Sequence, residues 1–387
     1  MKKLVCIALS KKRQQYFHAI TDSLGDKAKV IFAGKPKLAM FRGLVDQLPN
    51  ESALMSAHFA RQKINHPKLS SMKPLWWLIR RFVLWYERCR YFNYLALFTG
   101  LDTKAIGIWN GQKQPYLTIA EAARAAGKRV LYFENGVMPN TTTIDYQGVN
   151  AANSLPRDAK FYQNWQSPIN QNLPNQLVPY QKHKRRTDSG MNVELPKYYV
   201  FVPFQIPSDS QIVSQSTWIT SMERLFSVLI EVNCYLTNAG NKPYSFVFKE
   251  HPAWPRHFKH LYQKDKNMVF ANETNTQTLI EKSIAVLTIN STVGSESLLF
   301  NKRVITVGDA YYNIEGLVKH ADNQQQLNKI FIELEHWQSD PQLTHNFLKF
   351  VYFNYCIPNS WQQPDTKHIH AAQQRILETD NLSRLLP

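Results

Sequence analysis

Short apolar runs alternate with amphipathic stretches along nearly the whole chain, and this alternation restricts the fold more than any other feature. Leu4–Leu9, Lys29–Ala33, Ala105–Trp109 and Arg129–Phe133 read as strands in the first half. Tyr198–Phe204, Ser245–Lys249, Val286–Ile289 and Val304–Val307 do so in the second. Between them lie helical patterns at Pro115–Ala126, Ile212–Thr237, Thr276–Lys282 and Ser295–Phe300, the first stopped by Gly127. Near-continuous Val, Ile and Phe strands separated by helices are the pattern of parallel sheets covered on both faces. The expected class is α/β, with two Rossmann-like domains.

The chain of 387 residues is long enough for two such domains. The stretch from Asn164 to Glu194 reads as their linker: it holds Pro168, Pro174 and Pro179, many amides, and the basic run Lys182 to Arg186. The expected division is residues 1–180, residues 191–340, and C-terminal helices over 341–387. Lys11, Lys12 and Arg13 follow the first apolar run, which is too short for a secretory h-region. No run approaches a membrane span, so a cytoplasmic location is expected. The cysteines Cys6, Cys89, Cys234 and Cys356 lie far apart, which fits scattered core thiols better than a disulfide or zinc framework.

Charge narrows the partners. Lys and Arg number 46 against 29 Asp and Glu, a formal charge of +17. Charged residues are only 19% of the chain, so the balance reflects scarce acids rather than basic blocks. That argues against nucleic acid and leaves an anionic substrate, a nucleotide or a membrane surface. One segment, Leu75 to Phe92, combines aromatic bulk with Arg80, Arg81, Arg88 and Arg90 on a helix. It reads either as an interfacial helix in peripheral contact with an anionic inner membrane, or as a core helix with snorkelling arginines.

Four constellations could carry chemistry. Glu134-Asn135-Gly136 stands where a strand ends in a glycine turn, the position at which open α/β sheets bind ligands. Glu134 is there either a general acid/base or a turn cap. The following stretch, with Asn150 and Arg157, is dense in groups suited to sugar hydroxyls and carboxylates. Second, Asp209 precedes a helix, with Gln211 behind it, and is either an N-cap or a carboxylate nucleophile. Third, Lys249-Glu250-His251-Pro252 ends a strand and presents a histidine fit to bind phosphate or protonate a leaving group. Fourth, Asn290-Ser291-Thr292-Val293-Gly294-Ser295-Glu296 runs from a buried strand through hydroxyls into a helix. It is neither a Walker A loop nor a dinucleotide fingerprint, yet it offers hydroxyls and backbone N–H groups to a phosphate, with Glu296 in reach of a ribose. No carboxylate pair suggests a metal, and no cofactor is expected.

At these residues the sequence resembles the bacterial capsule polysaccharide synthesis proteins that are β-Kdo transferases. The matching motifs, in the family's order, are Glu134-Asn135-Gly136 with Pro139-Asn140-Thr141-Thr142; Gly148-Val149-Asn150 through Pro156-Arg157-Asp158; Asp209-Ser210-Gln211; His251-Pro252; Asn290 through Gly294; and Gly308-Asp309-Ala310-Tyr311-Tyr312 with Gly316-Leu317. The resemblance implies a GT-B-like fold with two Rossmann-like domains facing a cleft. It implies transfer of Kdo from CMP-β-Kdo to a glycan or lipid-linked acceptor, with retention. On that analogy Asp209 attacks the anomeric carbon, Glu134 serves the acceptor hydroxyl, and His251-Pro252 with Ser291 and Thr292 contact the CMP phosphate. Two alternatives are another CMP-nonulosonate, such as CMP-sialic acid, as donor, and a non-catalytic role in capsule assembly or export.

Overall fold

The computed structural model describes residues 2–34, 46–166, 170–178 and 193–385. The chain divides into two compact units: Met1–Ser154 with Phe353–Pro387, and Leu155–Tyr352. This differs from the sequence division at both ends. The expected boundary, residues 181–190, and the basic run Lys182 to Arg186 lie outside the described residues. The C-terminal helices do not form a block of their own. Pro341–Phe350 belongs to the second unit, and Thr366–Ile376 and Asn381–Leu385 to the first. A helix pattern carries the period of a buried face but not the identity of the surface it buries against.

The first unit is built on β1 (Lys2–Ala8), β2 (Ala28–Phe32), β3 (Thr103–Trp109), β4 (Arg129–Asn135) and β5 (Thr141–Asp145). β2, β1, β3 and β4 run parallel in that spatial order. β5 adds antiparallel, because only the tight turn Gly136–Asn140 joins it to β4. The strands are apolar on both faces: Ile7, Ile106, Ile108 and Leu131 are fully buried. Helices Lys11–Thr21 and Tyr116–Ala125 cover them. The alanine-rich helix Tyr116–Ala125 buries Ile119, Ala120, Ala122 and Ala123. Gly127, at φ +68°, then takes the left-handed turn that glycine adopts without penalty.

The second unit holds β6 (Tyr199–Pro203), β7 (Ser245–Lys249), β8 (Met268–Phe270), β9 (Ala285–Thr288), β10 (Arg303–Thr306) and β11 (Lys319–His320). All six are parallel, in spatial order β8-β7-β6-β9-β10-β11. Renumbered from the first strand, this is 3-2-1-4-5-6, the doubly wound dinucleotide-fold order. Every residue of β6 and β9 is buried, as strands covered on two faces require. The chain then returns to the first unit, where β12 (Ile357–Pro358) closes the sheet beside β5.

Two helices depart from the sequence reading. The expected helix Ile212–Thr237 is two, Ser210–Gln215 and Met222–Asn238. Ser216 and Ser221 break it: the Ser216 hydroxyl donates to the Ile219 carbonyl at 2.6 Å, and Ser221 caps the second helix by accepting from the Arg224 N–H at 3.1 Å. The expected Ser295–Phe300 begins earlier, at Thr292, because Ser291 caps it. The aromatic segment lies in helix Lys73–Thr99, whose halves differ. Tyr91, Phe92, Tyr94 and Phe98 enter the core, whereas Trp77, Leu78 and Phe82 are exposed. Its later arginines are paired, Arg88 with Glu51 at 2.6 and 2.8 Å and Arg90 with the buried Glu87. The reading as a core helix therefore holds for its second half, while the first half leaves Trp77, Leu78 and Phe82 at the surface.

Candidate functional site

Doubly wound sheets bind ligands beyond the carboxyl ends of their strands, where neighbouring strands send their connections to opposite faces. In the second unit that point lies between β6 and β9, and Asp209, Gln211, Asn290 and Ser291 follow the ends of these two strands. Gln205, just past β6, donates from Nε2 to the Asn290 Oδ1 at 3.0 Å. Its Oε1 accepts from the Thr288 hydroxyl and the Asn290 N–H, both at 3.3 Å. Asn290 in turn donates to the carbonyls of Gln211 at 2.9 Å and Gln215 at 3.3 Å. Both side chains are buried. Asn290, expected to touch substrate, uses its amide to fasten the β9 end to the helix that Asp209 starts. Gln205, which opens the stretch leading to Asp209 and was given no role from sequence, is its partner.

Asp209 is half-buried and caps helix Ser210–Gln215: its Oδ1 accepts from the Gln211 N–H at 3.1 Å and the Ser210 hydroxyl at 3.2 Å. The cap reading is therefore realised, and it places the carboxylate at the mouth of the switch point. Across from it, Ser291 caps helix Thr292–Leu298 by accepting from the Val293 N–H at 3.2 Å. Tyr312 donates its hydroxyl to the Ser291 carbonyl and Tyr311 donates to the Ser295 hydroxyl at 2.6 Å. The first turn of this helix is thus held from the loop after β10. A Cβ on Gly294 would stand 2.2 Å from the Tyr312 hydroxyl, so glycine is what lets the ring pack there. Glu296 lies one turn further on, half-buried, and desolvation pushes its carboxyl up to about 7.

On the adjoining strand end, Lys249 donates to the carbonyls of Asn272, at 2.9 Å, and Thr274, which ties the ammonium to the next loop. Pro252 lies in the turn that follows. His251 accepts at Nδ1 from the Ala253 N–H at 3.1 Å. The neutral ring then carries its proton on Nε2, the atom that can donate to an anion. The neighbouring Glu250 is the best-connected carboxylate here. Buried at 2% exposure, it accepts from His257 Nδ1 at 2.6 Å, the Phe258 N–H at 2.8 Å and the Tyr262 hydroxyl at 3.0 Å. The Glu250–His257 pair was not anticipated, since a separation of seven residues carries no signal without the fold.

The first unit has its own switch point, between β1 and β3. Glu134, near the end of β4, accepts from Asn110 Nδ2 at 2.6 Å and from the Asn135 N–H at 2.9 Å. Burial pushes its carboxyl above the usual range, while those two donors and the charges of Lys113 and Arg13 oppose the shift. Asn110 sits at φ +61° with Gly111 at +77°, the turn that brings its amide round to Glu134. Asn135 accepts from Trp361 Nε1 at 2.8 Å. Trp361 packs on Trp109 with ring centroids 4.5 Å apart, and the Arg13 guanidinium lies 4.8 Å from the Trp109 ring. Glu134 therefore stands beside an aromatic and cationic wall, of which Arg13, Asn110, Lys113 and Trp361 were not read from sequence. Gly136 is fixed by contact: a Cβ there would overlap the Thr141 hydroxyl at 1.9 Å.

Asn150, at φ +56°, donates to Gln112 Oε1 at 3.3 Å, and Gln112 donates to the Val149 carbonyl at 2.9 Å, joining the loops after β3 and β5. Buried Asp145 organises the second loop, accepting from Gln147, Gly148 and Ser154 N–H groups and from the Ser154 and Tyr355 hydroxyls. Arg157 belongs to the second unit and donates to the Leu155 carbonyl. The candidate residues thus form two groups, one per unit. Asp209, Gln211, Lys249, His251, Asn290, Ser291, Thr292 and Glu296 lie in one, and Glu134, Asn135, Gly136 and Asn150 in the other. Among the described residues no group of three His, Cys, Asp or Glu is arranged to hold a metal ion.

Residues 169–357 match the model of the family described as capsule polysaccharide biosynthesis protein. Over these residues, just under half of the chain, it is similar to that family. Over 279 residues, 72% of the chain, it is 35% identical to Protein FixF of Sinorhizobium fredii, covering 65% of that protein. It is 25% identical over 254 residues, 50% of the chain, to the capsule polysaccharide export protein KpsS of Escherichia coli, covering 64% of it. The matches thus span just under two thirds of either relative. Among solved structures it is similar to Thermosulfurimonas dismutans KpsC, a beta Kdo 2,7 transferase. That match covers 97% of this chain and all of the other, at 13% identity and a TM-score of 0.49. The beta Kdo 2,4 transferase of the same KpsC matches over 92% of both chains, at 13% identity and a TM-score of 0.47. The family match covers the whole group of candidate residues around Asp209 and stops at β12, so the wall around Glu134 lies mostly outside it.

Proposed function

We propose that this protein is a retaining glycosyltransferase of the capsule family that moves Kdo from CMP-β-Kdo to a surface-glycan or lipid-linked acceptor. The observation that carries the reading is the switch point of the second unit. A half-buried carboxylate (Asp209), the cap hydroxyl of Ser291 with Thr292 beside it, and a histidine with Nε2–H stand there on adjoining strand ends of a dinucleotide-fold sheet. That set suits an anionic leaving group: the histidine and hydroxyls donate to the phosphate as charge develops on it.

Retention follows from two displacements. The Asp209 carboxylate forms a bond to the anomeric carbon as the bond to the phosphate oxygen breaks and its electron pair leaves with CMP. An acceptor hydroxyl then attacks the same carbon, Glu134 takes its proton, and Asp209 is released. Burial raises the Glu134 carboxyl above the usual carboxylate range, which makes it a better proton acceptor than an exposed glutamate.

The test is transfer from CMP-β-Kdo and, in parallel, CMP-sialic acid to a glycan acceptor, with the anomeric configuration of the product read by NMR. Kdo transfer with β product supports the proposal. Transfer of sialic acid alone overturns the donor, and inversion overturns the covalent step. If no donor is used while the protein is still needed for capsule assembly, the role is non-catalytic.

A further inference from the structure

Between Glu51 and Glu87 the chain contains no Asp or Glu, yet it carries Arg61, Lys63, Lys68, Lys73, Arg80 and Arg81. Arg88 and Arg90, further along the same helix, each hold a carboxylate. Lys63, Lys68, Lys73, Arg80 and Arg81 are exposed and have no carboxylate partner among the described residues. Within this stretch the first half of helix Lys73–Thr99 exposes Leu75 at 38%, Trp77 at 56%, Leu78 at 57% and Phe82 at 61%, with Met72 at 55% just before it. Leu75, Leu78 and Phe82 are spaced i, i+3, i+7 and so share one helix face. Phe82 continues into Trp85 and Tyr86, with ring centroids 5.5 and 6.3 Å away. The Arg81 guanidinium lies 5.1 Å from the ring centroid of Trp77, at the border of that face.

Single exposed apolar side chains are ordinary, but five large ones within eleven residues of one another are not. A water-facing helix has no use for them, and a protein partner bound by apolar contact has no use for a surrounding field of cations that lack carboxylate partners, Arg80 and Arg81 lying only over the rings of Phe59 and Trp77. An interface that is apolar below and anionic above satisfies both. No helix among the described residues is long and apolar enough to cross a membrane, so the geometry is that of a helix that lies in the boundary rather than through it. We propose that the face Met72–Phe82 docks the protein on an anionic phospholipid bilayer, with Leu75, Leu78 and Phe82 in the acyl boundary, Trp77 at headgroup level, and Lys73, Arg80 and Arg81 on lipid phosphates. This inference is independent of the donor and of the chemistry at Asp209.

Co-sedimentation of the full chain with vesicles tests it, using phosphatidylcholine alone and phosphatidylcholine mixed with phosphatidylglycerol. Binding is expected to the mixed vesicles, to weaken with salt, and to bring a blue shift in tryptophan emission. Leu78→Ser with Phe82→Ser should lower the partition by at least about tenfold, and Arg80→Glu with Arg81→Glu by about fivefold or more per position. All four positions face solvent, so both double variants should keep the wild-type unfolding temperature. Absence of binding, equal binding to neutral vesicles, or full binding by either variant overturns the proposal. So does a stable dimer of the free protein that Phe82→Ser dissolves, because a second copy would then cover the face.

Discussion

Asp209 can be asked two separate questions, because Asn and Asp cap helices about equally well whereas Ala does not. Asp209→Asn should keep the unfolding temperature nearly unchanged and abolish both transfer and the sugar adduct seen by mass spectrometry with CMP-Kdo. Asp209→Ala should also lose about 1 kcal/mol of stability. Transfer that survives in Asp209→Asn would leave the cap as the whole role of this residue. Glu134 invites a pH test. Its carboxyl is raised by burial, so a base at this position gives an activity whose acidic limb lies above the ordinary carboxylate range. Arg13 opposes that rise, so Arg13→Gln should move the limb to higher pH. Glu296 provides a stability test. Its carboxyl goes from 4.5 to about 7 on folding, so the folded state binds the proton more tightly. The associated stability is present below pH 4.5 and is lost as pH rises through about 7, by at most roughly 3 kcal/mol. Glu296→Gln should flatten thermal stability across that window. Of the residue-scale features, glycine turns and helix caps were legible because their requirements are local. Asp145, Gln205 and the Glu250–His257 pair were not: Gln205 bonds Asn290 and Asp145 bonds Tyr355 across the fold, and Glu250 gathers its donors from a loop that has no periodicity to read.

Among the elements, helix Thr292–Leu298 is the most dependent on its surroundings. It is short, so most of its stability comes from packing and capping rather than from propensity. Tyr312 over Gly294 is a large part of that packing. Gly294→Ala should displace the ring and cost about 1–3 kcal/mol, read as a lower unfolding temperature together with weaker nucleotide binding by calorimetry. Unchanged binding in a destabilised variant would separate this helix from the site. The break between Ser210–Gln215 and Met222–Asn238 shows what sequence patterns hide. The apolar spacing runs on through the break, and Ser221 is an ordinary capping residue. Only the fold shows that the Ser216 hydroxyl turns inward to the Ile219 carbonyl. The same holds for helix Lys73–Thr99, whose composition is similar throughout while its two halves meet core and solvent.

For the molecule as a whole, β1 to β4, β6, β7, β9 and β10 were readable from their apolar runs, but β5, β8, β11, β12 and the strand orders were not. Parallel neighbours are chosen by which crossover packs where, and a strand's own residues do not record it. The path of the last residues was equally hidden. Phe353–Pro387 completes the first unit through β12 and through buried Arg375, which donates to the carbonyls of Ile144 at 2.8 Å and Asn354 at 2.7 Å and pairs with Asp380. Arg375→Met would leave those acceptors and the carboxylate buried without it, and should cost about 3 kcal/mol in denaturant unfolding. A loss confined to a few tenths of that would make the C-terminal return dispensable. Because the second unit is continuous while the first is interrupted by it, the two cannot mature together on the ribosome. The nucleotide-fold half has all its strands once Tyr352 has emerged. The half that carries Glu134 still lacks β12, Trp361 and the histidine that Tyr16 bonds, His368. Each new molecule therefore completes its proposed donor half before the wall beside Glu134 exists.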